Sequence, residues 1–208
     1  MDLRIEDCGN YSIFKSKIQN PKSKIVYSPL PMPEILKISQ LGNPVLRQRS
    51  QVVENVKDDR IQQLIDNLIS TVKQANGVGI AAPQVATGLR LFVVASRPTL
   101  RYPQAPTMEP TATINPRIIA SSTKTVKDWE GCLSIPGIRG LVPRSKAIEI
   151  EYTSRDGKLH RQELTDFVAR IFQHEHDHLD GIVFLDRVES THELMTEDEY
   201  QKQFVKLL

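Results

Sequence analysis

Residues 173–181 read QHEHDHLDG, so three histidines, a glutamate and two aspartates crowd one short stretch. If this stretch is helical, His174 and His178 stand four residues apart, about 40° from each other around the axis. Both imidazoles then reach a single ion. Glu175 lies three before His178 on the same side, close enough to act on a water at that ion. His176 falls about 200° from His174 and must point elsewhere. Asp177 and Asp180 are off the two-histidine edge, although Asp177 is placed to orient an imidazole from behind. Phe167 and Ile171 begin the face that His174, Glu175 and His178 continue. A buried face carrying two imidazoles and a carboxylate needs a partner for them, and a cation supplies one. The competing reading, a solvated polar face, conflicts with that shared apolar edge.

A catalytic metal site normally has three protein ligands and one open position. The metzincin arrangement would place a third histidine at position 184, which is Phe184. A glutamate from a later helix, Glu193, Glu197 or Glu199, is one alternative. The other is upstream: Cys132 in WEGCLSIPG, where small neighbours allow close approach to an ion. On its own, a lone cysteine such as Cys132 is more commonly an inert buried thiol.

These residues need elements to hold them. Asp166 opens the motif helix and Gly181 closes it. Upstream, Ile61, Leu64, Ile65, Leu68, Ile69 and Val72 share one helical face between Asp58 and a stop at Asn76-Gly77. LRLFVVA (89–95) reads as a buried strand, and residues 97–110, with four prolines, as a loop. TATINPRII reads as a strand interrupted by Pro116. The alternation on both sides of Asp156-Gly157 predicts a hairpin. The tail from Ser190-Thr191 reads as a polar amphipathic helix. The expected fold is α+β: antiparallel strands packed around a central metal-binding helix, with an N-terminal and a C-terminal helix.

Composition bounds the function. With 208 residues, 39% hydrophobic and 25% charged, the chain fits one globular domain. Its net charge of +2, spread evenly, gives no electrostatic case for nucleic acid or a membrane surface. No apolar run approaches the ~20 residues of a membrane span. Two distant cysteines, Cys8 and Cys132, indicate a reduced compartment rather than a disulfide. Residues 1–34 read as an N-terminal extension, with one catalytic domain over 35–208.

Three segments taken together carry a resemblance. GVGIAAPQ (77–84), EGCLS (130–134) and QHEHDHLDG (173–181) resemble the three signature motifs of the peptide deformylases, in that family's order. The similarity runs from about Ile35 to about Val188. It implies a hydrolase that removes the formyl group from the N-terminal formyl-methionine of nascent polypeptides, releasing formate. It also implies one divalent ion on Cys132, His174 and His178, with Fe²⁺ expected in the cell and Zn²⁺, Ni²⁺ or Co²⁺ in isolated protein. Glu175 would be the general base, and Gln84 with the Leu133 N–H the oxyanion donors. Gly77 and Gly79 would let an extended peptide approach, and Val78, Phe167 and Ile171 would take the methionine side chain. Glu130 is expected to orient the Cys132 loop, with Arg139 or Arg144 as its counter-ion. The partners implied are N-formylmethionyl peptides near the ribosome. A bacterial cytoplasm is the expected location, with an organelle second. A metallopeptidase with a downstream glutamate ligand is the alternative, followed by a non-catalytic peptide-binding descendant.

Overall fold

The computed structural model describes residues 32–99 and 101–205. The expected extension, apart from its last three residues, and Cys8 with it, lie outside the described residues. The first long element is α1 (Asp59–Gln74), capped by the Asp58 side chain, which accepts from the Arg60 N–H. Asn76, at φ 50°, turns the chain out of the helix. The strands are β1 (Gly79–Ala81), β2 (Leu91–Val94), β3 (Thr111–Ser121), β4 (Thr125–Cys132), β5 (Ile135–Ser145), β6 (Ala147–Thr153) and β7 (Leu159–Thr165). The motif helix α2 (Asp166–Leu179) follows, then β8 (Leu194–Thr196) and α3 (Glu197–Tyr200). One antiparallel sheet runs β1-β2-β3-β6-β7 and a second runs β4-β5-β8. The architecture is α+β, as expected.

Strand β2 shows why its sequence is apolar throughout. Leu91 and Val93 join Ile65, Leu68 and Val72 of α1 in one core cluster. Phe92 and Val94 join Ala169 and Phe172 of α2 in another. The sheet has a helix on each face, so both pleat directions are buried. Phe92 and Phe172 meet edge-on at 4.9 Å. A third cluster, Cys132, Ile135, Val142, Val183 and Phe184, fills the space behind the small sheet. Helix α2 thus lies between the two sheets, and its metal-motif face looks toward the β4–β5 turn.

Two local expectations are refined and a third holds. Pro116 does not end β3; the ladder shifts register between Ile114 and Arg117, with Asn115 at φ 50°. This bulge accommodates the missing N–H, and the Asn115 side chain bonds both backbone groups of Val53 at 2.9 Å. The hairpin turn at Asp156-Gly157 joins β6 to β7 as expected, Gly157 taking φ +83°. The tail differs: after a turn at Thr191–Glu193, Leu194–Thr196 adds a strand to Ile138–Gly140 before the C-terminal helix begins. An apolar pair, Leu194-Met195, beside an open sheet edge is what diverts it from helix.

Candidate metal centre

Cys132 ends β4, and the ladder slips at that point so that it opposes Ile135 across a tight turn. This presents its Sγ to α2. The ligand atoms of Cys132, His174 and His178 all lie within 4.8 Å of one another, and all three residues are buried. Sγ is 3.3 Å from His178 Nε2. The two imidazoles are 5.1 Å apart and nearly perpendicular. His176 turns away, stacking on Phe172 and approaching Arg90 and Asp180.

Glu130 sits behind His174. Its Oε2 accepts from His174 Nδ1 at 2.9 Å, leaving Nε2 free to face the cluster. Arg144 grips the same carboxylate through Nε and Nη2 at 2.9 and 3.0 Å, and Arg170 Nη1 adds a bond at 2.8 Å. Burial would push the Glu130 carboxyl up, but the Arg144 charge and the His174 and Arg144 bonds hold it well below its ordinary range. Arg144 is therefore the counter-ion; Arg139 instead pairs with Glu197. Asp177 does not orient an imidazole directly. It holds Arg144 at 2.5 Å and Arg187 at 2.7 Å, the carboxylate on His174 being Glu130.

The electrostatics ask for positive charge among the three donors. Burial disfavours a charged His174, yet Cys132 and Glu130 beside it raise its proton affinity well above normal. His178, buried and facing His174 and Arg144, is driven well below normal. A single cation meets that demand in place of a proton, and a soft thiolate with two imidazoles suits a divalent transition metal. Among the described residues, two buried polar atoms in the motif, Glu175 Oε2 and His178 Nδ1, have no hydrogen-bond partner. Burial pushes the Glu175 carboxyl up to about 7. The donor set fits a metal with one acidic side chain beside it.

The first motif closes the site from the other side. Gln84 Oε1 accepts from the Ala81 N–H at 2.8 Å, which turns Nε2 toward Cys132 Sγ at 3.4 Å and Ser134 Oγ at 3.1 Å. A Cβ on Gly79 would lie 2.4 Å from Glu175 Oε1, so only glycine lets that carboxylate rest against β1. Val78, Gly79, Glu130, Leu133, Phe167 and Ile171 all border one open pocket together with Cys132, His174 and Glu175. His178 lies deeper, at 1% exposure.

Several members were not foreseen. Arg170 could have been found, since it lies four before His174 on the same turn-to-turn edge and carries a cation into the core. The strap 35–41 carried no signal; it ties two motifs together through Ser39 N–H to Gln84 O at 2.7 Å and Leu41 N–H to Ser134 O at 2.8 Å. The downstream glutamates are engaged elsewhere: Glu193 by Lys127, Glu197 by Arg139 and Glu199 by Lys202.

Comparison with known proteins agrees with this geometry. The sequence model of the polypeptide deformylase family matches residues 35–193. A "Peptide deformylase 2" from Nostoc is 67% identical over 174 residues, covering 84% of this chain and 97% of the relative. Another from Shewanella oneidensis is 40% identical, covering 92% and 99%. Among solved structures, the Met-Ala-Ser-bound class I type b peptide deformylase of Acinetobacter baumannii superposes with a TM-score of 0.73 at 38% identity, covering 76% of this chain and 100% of that one. An actinonin complex from Synechococcus elongatus gives 0.68 at 32%, covering 84% and 91%. With the family matched across most of its length and a relative sharing two residues in three, this chain belongs to the peptide deformylase family.

Proposed function

We propose that this chain hydrolyses the formamide of N-terminal formyl-methionine on nascent polypeptides, releasing formate, with residues 35–208 acting as one catalytic domain. The observation that carries the reading is the convergence of Cys132, His174 and His178 within 4.8 Å beside the unpartnered Glu175. Those three residues would hold one divalent ion, Fe²⁺ in the cell, with Zn²⁺, Ni²⁺ or Co²⁺ able to replace it after isolation. The ion supplies Lewis acidity, lowering the pKa of water toward about 7.

The remaining work belongs to the protein. Glu175, whose affinity for a proton is raised toward neutrality by burial, takes the proton of the attacking water. It then passes that proton to the departing amine, so one carboxyl serves both steps. The oxyanion that develops on the formyl oxygen needs donors already in place. Gln84 Nε2, aimed at Cys132 by the Ala81 bond, is one, and the Leu133 N–H is the second. Each such donor contributes about 2.7–4 kcal/mol to the transition state. Gly77 and Gly79 present bare backbone along which an extended peptide adds as a strand. Val78, Phe167 and Ile171 line the recess for an unbranched apolar side chain. Substrates of this kind arise where chains leave the ribosome, in a bacterial cytoplasm.

The test is formate release from formyl-Met-Ala-Ser by metal-loaded protein, lost on Glu175→Gln with metal content retained. Absence of formate from loaded wild-type protein would sink the reading.

A further inference from the structure

One wall of the cavity comes from outside the three motifs. Tyr102, in the loop between β2 and β3, lines it and packs its ring on Phe167 with 5.0 Å between centroids. The Tyr102 backbone closes a turn with Thr99, each N–H reaching the other's carbonyl at 3.1 Å. That turn fixes the Cα but leaves the ring free to rotate. The ring is held from β5: Arg139 Nη1 donates to Tyr102 Oη at 2.9 Å.

Arg139 is itself over-determined. Its side chain is fully buried, at 0% exposure. Nε and Nη2 donate to the Glu197 carboxylate at 2.7 and 3.2 Å. Its guanidinium carbon lies 5.0 Å from the Tyr102 ring and 4.6 Å from the Tyr200 ring. Its stem runs against Gly131, where an added Cβ would meet Nε at 3.1 Å and Cδ at 3.2 Å. A planar cation with this many fixed partners cannot swing without leaving a buried charge unpaired. Glu197 and Tyr200 belong to α3, beyond residue 193 where the family match ends. Tyr200 and Phe204 pack on Trp129 at 5.9 and 5.8 Å, docking the tail on β4.

We propose that Glu197, Arg139 and Tyr102 form a positioning chain through which the C-terminal helix sets the wall of the methionine recess. Tyr102 is the specificity-determining residue, touching the substrate side chain; Arg139 and Glu197 are positioning residues that act through it. The inference rests on the deformylase reading above. Its physical content is selective: a loosened wall costs contact to a long side chain and little to a short one.

The test uses the metal-loaded full chain, its Tyr102→Ala and Glu197→Gln variants, and two substrates, formyl-Met-Ala-Ser and formyl-Ala-Ala-Ser. Calorimetric binding of Met-Ala-Ser is measured alongside. Each variant should raise KM for formyl-Met-Ala-Ser about five- to tenfold, the effect of one lost aromatic contact. Met-Ala-Ser binding should weaken by the same factor, and the preference for methionine over alanine should contract in step. If Glu197→Gln does not fold, Tyr200→Leu, which takes one ring from Arg139, tests the remote half. An equal loss on both substrates, or peptide binding within twofold of wild type in both the Tyr102 and tail variants, would overturn the positioning chain. Wild-type protein that binds Met-Ala-Ser but releases no formate would defeat the deformylase reading, and the binding arm would still decide this one.

Discussion

His174 Nδ1 and Glu130 Oε2 lie 2.9 Å apart, so the carboxylate at the start of one motif fixes the ring that begins another. Glu130 is kept ionised by Arg144 and Arg170, and an ionised acceptor forces the His174 proton onto Nδ1. Glu130→Gln keeps the shape but removes the charge. It should weaken metal binding about 10- to 100-fold, measured by competition with a chelator. It should also destabilise the fold by about 3–5 kcal/mol in denaturant unfolding, because the buried Arg170 loses its carboxylate partner and Arg144 keeps only that of Asp177. Unchanged metal affinity would show that the ring needs no such support.

Cys132 and Glu197 were alternative third ligands from sequence alone, and their surroundings now separate them. Sγ of Cys132 is 3.3 Å from His178 Nε2, whereas Glu197 is committed to Arg139 at 2.7 Å. Cys132→Ala should abolish stoichiometric metal by elemental analysis. Glu197→Ala should retain it.

Gly79 and Glu175 are in closer contact than any other side chain at position 79 permits. An alanine Cβ there would sit 2.4 Å from Oε1 and 2.9 Å from Cδ of Glu175, so the carboxylate must move. Gly79→Ala should therefore lower kcat by about 10²-fold, the scale of an ångström's misplacement of a catalytic group. Metal content should be kept, since neither atom is among the three donors. A variant with wild-type kcat would mean that Glu175 works from a different position.

What could be read from sequence divides along physical lines. Short-range signals were sufficient where one element decides its own conformation. The Asp58 cap, the Asn76 stop, the Asp156-Gly157 turn and the four-residue step from His174 to His178 are of this kind. The β4–β5 hairpin was not legible, because Pro136, Gly137 and Pro143 argue against a strand. They are tolerated because β8 pairs only with Ile138–Gly140, leaving both prolines on an open edge. Long-range choices were equally hidden: whether Glu130 takes Arg139 or Arg144 depends on which strand face each arginine occupies. That Arg139 looks toward the tail and Arg144 toward α2 follows from the register of β5, which no local pattern encodes.

The tail should show its own dependence on pH. Burial raises the Glu197 carboxyl, but bonds from Arg139 and Gln201 and the charges of Arg139 and Arg101 outweigh it, so its pKa in the folded chain lies below the ordinary 4.5. A depressed carboxylate contributes stability that is fully present above 4.5 and is lost as pH falls through the folded value. Above pH 5 the docking of α3 should be indifferent to pH. As pH falls through that lowered value, protonation of Glu197 leaves Arg139 with a neutral partner in a buried setting, and the tail should loosen. Trp129 is the chain's one tryptophan and packs against Tyr200 and Phe204, so its emission reports that docking. Acid titration should shift Trp129 emission before far-UV circular dichroism records global unfolding. In Glu197→Gln the early phase should be missing, because no proton is taken up there. An identical early phase in both proteins would place the responsible proton on another group.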